Sequence, residues 1–190
     1  ILLDCGLVEW IDVEERGELL RRVGSVQEGF LGDAEAAIGA YARAARDNDT
    51  DEAAFEALDR LYVGLERFEP LREVLARRVE LAGDRADRVG LGLRLGALCE
   101  QQLRDPERAI EAYRRVLDDD AASVTATTAL GGLFERSGKW PELIENLRQQ
   151  AAVAVTESER VHLRHRAGEV LEREIGDVTE AIEMYREALS

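Results

Sequence analysis

An internal repeat with no insertion in it limits this chain more than any other feature. The pentapeptide AIGAY begins at Ala37, AIEAY at Ala109 and AIEMY at Ala181, two steps of 72 residues. The same step relates Gly24, Gly96 and Gly168; Leu19, Leu91 and Leu163; and Asp33, Asp105 and Asp177. It also relates Leu58 to Leu130, Leu61 to Leu133, Tyr62 to Phe134, Phe68 to Trp140 and Leu71 to Leu143. A unit repeated at such a period cannot bury its own apolar face and is stable only when stacked on a neighbour, so the expected architecture is an array.

Each period reads as two units of about 36 residues, half of 72, and each unit as two helices. In Asp105 to Leu117, DPERAIEAYRRVL, Asp105 is placed to cap a helix whose first turn holds Pro106 and Glu107. Ala109, Ile110, Tyr113, Val116 and Leu117 then recur at three- and four-residue spacing as one apolar face. Leu91, Leu95, Leu98 and Leu103 form a similar stripe on the helix before it. Alternation of the strand type is absent at useful length. Glycines such as Gly90, Gly92 and Gly96 are expected at close helix–helix contacts, and Ala109 and Ala181 likewise.

These units resemble the tetratricopeptide repeat, on Leu95-Gly96, Ala109-Ile110, Tyr113 and Val116 in one unit and on Ala167-Gly168, Gly176-Asp177, Ala181, Tyr185 and Ala188 in another. The match is divergent. Leu71 and Leu75, or Leu143 and Leu147, stand where the family prefers Ala and an aromatic, and the usual proline closing the second helix is missing. The resemblance implies an all-α α-solenoid, a right-handed superhelix of antiparallel helix pairs with first helices lining a concave face. About eleven helices are expected. A lone second helix lies over about residues 1–11, and five pairs occupy about 12–48, 49–83, 84–120, 121–155 and 156–190, with no linker or second domain. Asp12, Asp84 and Thr156, each with an acidic residue three positions on, read as capping-box starts. The chain opens at Ile1 inside one of these helices and is expected to be a piece of a longer protein.

Composition narrows the partners. Forty acidic residues against 25 basic give a net charge of −15, which repels nucleic-acid phosphates and anionic membranes. No apolar run approaches the ~18 residues of a membrane-spanning helix. Lys139 is the only lysine; the arginine bias is that of a GC-rich coding genome. Cys5 and Cys99 have neither disulfide-framework nor zinc spacing and read as small apolar fillers.

No nucleophile motif, phosphate-binding glycine loop or dinucleotide fingerprint occurs, so no catalytic residue and no cofactor are assigned. His162 and His165, with Glu169 one turn on, have the spacing of a loose metal pair, but histidines on an exposed or groove-lining helix are the simpler reading. The candidate partner-binding residues are Arg22, Arg94 and Arg166, at one repeat position two residues before the repeat glycine, together with Arg21 and His165 beside them. The resemblance turns this position toward the concave face. A planar guanidinium donates two hydrogen bonds at once to a carboxylate. Duplication alone would also copy these arginines, and Glu18 lies one turn before Arg22 as a possible partner. The family's lysine- and asparagine-based clamp for C-terminal carboxylates does not transfer, because the first helices carry no Asn and Lys is nearly absent.

The leading functional expectation is a non-catalytic scaffold binding a protein or peptide segment, acidic if the arginines take part. Two alternatives stay open: a regulatory or docking arm of an enzyme whose catalytic domain lies outside this chain, and an architectural module. Self-association through apolar terminal helices is expected as well, with Ile182, Tyr185 and Leu189 as the stripe at one end. No compartment is indicated.

Overall fold

The computed structural model describes residues 12–189, so the helix expected over 1–11 lies outside the described residues, as does Cys5. Among those described there are ten α-helices and no strand: α1 (Val13–Gly29), α2 (Ala34–Asp47), α3 (Glu52–Gly64), α4 (Phe68–Leu81), α5 (Arg85–Gln101), α6 (Pro106–Asp119), α7 (Val124–Arg136), α8 (Trp140–Val153), α9 (Glu157–Val170) and α10 (Val178–Ala188). A π-helical turn, Leu171–Ile175, continues α9. The chain divides into two compact units, 1–98 and 99–190, and the division falls inside α5.

The helix starts are written in short polar side chains. Asp33, Asp105 and Asp177 each accept a hydrogen bond from the backbone N–H three residues on, at 3.0, 3.1 and 3.0 Å. Thr156 caps α9 in the same way, 3.2 Å from the N–H of Glu159. Asp84 accepts from Ala86 and Asp87, and Asp12 only from its neighbour Val13. Helices α4 and α8 have no side-chain cap. At their cap positions stand Arg67 and Lys139, which instead reach back to Glu35 and Glu107 in the first turns of α2 and α6. The lone lysine thus occupies the place that an arginine fills 72 residues earlier.

The units are unequal. First helices begin at 13, 52, 85, 124 and 157, so the spacing alternates between 39 and 33 residues, a wider alternation than the 37 and 35 of the expected bounds. The longer units carry the 17-residue helices α1 and α5, against 13 residues in α3 and α7. In the last unit the π turn takes up the extra length. Between the helices of each pair one residue turns left-handed: Gly32, Glu66, Arg104, Gly138 and Gly176, at φ 65, 53, 52, 65 and 81°. These too are spaced by 72. Glu66 and Arg104 adopt a conformation that glycine takes without cost, so Arg104→Gly should raise stability by up to about 1 kcal/mol in urea denaturation. An unchanged midpoint would mean that the Arg104 side chain makes good the backbone cost.

Each unit buries alanines and leucines between its helices. In the first, Leu20, Ala37, Ile38, Tyr41, Ala44, Leu58 and Leu61 form one cluster. In the second, Ala109, Ile110, Tyr113, Leu130, Leu133 and Leu143 are all buried. Gly24 lies against the ring of Tyr41 and Gly168 against that of Tyr185, where an added Cβ would sit 2.8 and 2.5 Å from ring carbons. The glycine–tyrosine pairing is therefore a close backbone approach filled by an aromatic. Gly90, expected at such a contact, has open space around it and does no packing work. Cys99 is buried, as an apolar filler.

Candidate partner-binding face

The arginine series lies on the first helices α1, α5 and α9, and its members are held in three different ways. Arg22 on α1 is exposed and has no ion-pair or hydrogen-bond partner among the described residues; the pairing with Glu18 does not form. Arg94 on α5 gives both terminal nitrogens to Asp59 of α3, at 2.9 and 2.8 Å. Asp59 is 4% exposed and also accepts from Arg78 of α4, on the Oδ2 that Arg94 meets. Among the described residues, Arg166 on α9 reaches only Glu135 of α7, at 2.6 Å, between two side chains that are 39% and 49% exposed.

The cause of the difference is visible one period apart. Position 59 becomes Gly131, and Arg78 becomes Gln150, so the buried acid and its second arginine are both gone. Asn146 fills the space. Its amide donates to the Thr127 carbonyl at 3.1 Å and its oxygen accepts from Gln150 at 2.7 Å. A charged cluster in the first unit is a neutral one in the second, and Arg166 is left with a surface partner.

The two flanking candidates are also engaged. Arg21 pairs with Asp51, which is buried and caps α3 through the N–H of Ala54 at 3.1 Å. His165 lies 3.6 Å from Glu169 and 5.5 Å from the Tyr185 ring centre. His162 is exposed nearby, and no group of three or more metal-ligating side chains occurs among the described residues.

A second recurrent set follows the same step without belonging to any motif. Glu28, Glu100 and Glu172, again 72 apart, each stand beside the repeat tyrosine; Tyr113 and Tyr185 donate to Glu100 and Glu172 at 3.3 and 2.8 Å. Burial, and then the neighbouring carboxylate, pushes Tyr113 up to about 12. A phenol harder to ionise when folded binds its proton more tightly in the native state, so stability is whole below pH 10 and falls as pH rises through 10–12. Two pH units correspond to roughly 2–3 kcal/mol. Urea midpoints should drop over that window, and Tyr113→Phe should flatten much of the drop; an unaltered slope would contradict this.

The fold and these faces define a class: helix-pair arrays of the tetratricopeptide type. Residues 126–161 match the family model for the tetratricopeptide repeat. Among solved structures it is similar to YrrB, described as a tetratricopeptide protein with an unusual peptide-binding site. The identity is 15%, the TM-score 0.52, and coverage 93% of this chain and 86% of that one. It is also similar to MamA, at 19% identity and TM-score 0.51 over 93% of this chain and 91% of that one. A further MamA structure, AMB-1, gives 18% and 0.52 over 92% and 91%. At these identities the likeness is one of fold. No curated protein matches the chain in sequence. No helix among the described residues is long and apolar enough to cross a membrane.

Proposed function

We propose that this chain is a non-catalytic interaction scaffold whose first-helix face takes an acidic segment of another protein. The observation that supports it is the graded holding of one repeated arginine in a chain of net charge −15: among the described residues Arg94 is committed to a buried carboxylate, while Arg22 is unpaired and Arg166 has only a surface partner. The free fork of Arg22, and that of Arg166 with His165 close by, are suited to bidentate carboxylate capture, each within its own unit. The peptide-binding site in the description of YrrB is in keeping with this reading.

The test is fluorescence anisotropy of glutamate-rich peptides at rising salt. Binding should weaken with ionic strength, because exposed ion pairs are screened over about 10 Å at 0.1 M. Arg22→Ala and Arg166→Ala should each weaken it severalfold, while Glu135→Ala, which frees Arg166, should strengthen it. Salt-independent binding, or equal binding by the double variant Arg22→Ala/Arg166→Ala, would overturn the arginine assignment.

A further inference from the structure

We infer that the exposed side of α6, together with the start of α8, is a binding site for a phosphomonoester dianion, with Arg114 as its principal donor. The site is a surface cavity of ≈ 390 Å³ whose lining carries four cations, Arg108, Arg114, Arg115 and Lys139, against two carboxylates, Glu107 and Glu111. Four less two leaves two positive charges in excess, in a chain whose net charge is −15. Duplication does not account for the cluster. At the positions of Arg108, Glu111 and Arg114, helix α2 has Ala36, Gly39 and Ala42, and α10 has Glu180, Glu183 and Arg186. A need of helix packing would be met in every copy of the repeat, whereas this set of charges belongs to one.

The four cations are held to different degrees. Lys139 reaches Glu107 at 2.7 Å, and Arg115 reaches Glu111 at 2.6 Å. Arg108 lies 3.3 Å from Asp105, the residue that caps α6. Arg114 is exposed and has neither an ion pair nor a hydrogen bond among the described residues. Its guanidinium carbon lies 5.6 Å from the centre of the Phe134 ring, and that residue is only 4% exposed. Cation–π attraction to a fixed ring orders the guanidinium without using up its N–H groups, so the fork is in place before a ligand arrives. One period earlier Ala42 stands at the arginine position and Tyr62 at that of the ring, so no fork is offered there.

The charges select a phosphomonoester over a carboxylate. Near pH 7 a phosphomonoester carries about −1.5 to −2 charges and three acceptor oxygens. It can meet Arg114 and Arg108 together while Lys139 and Arg115 keep their own carboxylates. A single carboxylate brings about half that charge against the repulsion of Glu107 and Glu111, and gains little. Among the described lining residues only Ile110 is apolar, and it is 3% exposed, so no apolar wall is offered to an organic body. Recognition is therefore of the phosphate group itself, carried on a protein side chain or free. The site lies on second helices and does not rest on the first-helix reading.

The experiment titrates the whole 190-residue chain at low salt into a fluorescent glycine–serine peptide with one central phosphoserine, and follows inorganic phosphate alone by calorimetry. Saturable binding of the phosphopeptide is expected, about tenfold tighter than that of the same peptide with glutamate at the centre. Arg114→Ala should weaken it about tenfold. Glu107→Gln, which removes a repelling carboxylate and releases Lys139, should strengthen it severalfold, a gain that loss of folding does not produce. Arg22→Ala should leave it unchanged, which separates this site from the first-helix face. Inorganic phosphate bound as tightly as the peptide would assign a free phosphate, and a peptide about tenfold tighter would assign a phosphorylated side chain; both support the site. Equal binding of the phosphoserine and glutamate peptides would overturn it. So would binding indifferent to both Arg114→Ala and Glu107→Gln, or no saturable binding of either phosphate probe.

Discussion

Asp59→Ala should destabilise the chain by about 3–5 kcal/mol in urea denaturation, whereas Glu135→Ala should cost under about 1 kcal/mol. Both acids hold the repeat arginine of the next first helix. Asp59 is 6% exposed in its side chain and holds Arg94 and Arg78, the latter only 14% exposed. Its removal leaves the largely buried Arg78 guanidinium with the exposed Glu56, 3.1 Å away, and the large figure comes from the loss of its buried counter-charge. Arg94, half-exposed, would turn to water. Glu135 and Arg166 are both hydrated and would lose little. The other copy of the repeat shows a neutral solution, glycine at 131 and Gln150 in place of the arginine. The pair Asp59→Gly and Arg78→Gln should accordingly cost less than the sum of the single changes, because the partners couple. Equal losses for Asp59→Ala and Glu135→Ala would show that burial of this acid has no energetic weight.

The second large effect is expected at Gly24. A methyl group there would meet three ring carbons of Tyr41 at 2.8–2.9 Å, and Tyr41 is 5% exposed with no room to retreat. Overpacking of this kind costs about 1–3 kcal/mol, reduced by roughly 0.5–1 kcal/mol because alanine suits a helix better than glycine. Gly24→Ala should therefore lose about 1–2 kcal/mol. Gly168→Ala meets Tyr185 still closer, at 2.5 Å, but that ring is half-buried beside an open cleft and can swing out. Its cost should be within about 0.5 kcal/mol of zero. The contrast reports on packing against the tyrosine rather than on glycine as such. Matching losses at the two glycines would show that the ring of Tyr185 is fixed as firmly as that of Tyr41.

The sequence carried the helices well and the side-chain pairings badly, for one physical reason. Helix starts are local: Asp33, Asp105, Asp177 and Thr156 cap residues three positions away, so spacing alone finds them. The glycine–tyrosine contact is also legible, since both members repeat together. The alternation of longer and shorter units was legible in direction but not in size, because the 72-residue identity hides how each period is divided, and only helix ends reveal 39 and 33. The left-handed turn was masked by Glu66 and Arg104, residues that rarely signal such a backbone. The partners of Arg94 and Arg166 lie on neighbouring helices, 35 and 31 residues away, and differ between copies although the arginine does not. The Glu100–Arg136 pair is likewise invisible, because its arginine stands a turn from Gly132, where repetition of the Glu28–Arg60 pair would put it. A repeated residue therefore marks a repeated position, while what it binds is set by neighbours free to differ.

The most direct test of the binding-face assignment is NMR mapping of a glutamate-rich peptide on the isotope-labelled chain at low salt. The expected result is saturable shift changes in the first helices, centred on Arg22 in α1 and on Arg166 and His165 in α9, with Arg94 little affected while Asp59 holds it. Changes confined to the second helices α4 and α8, or none at saturating peptide, would contradict a first-helix binding face.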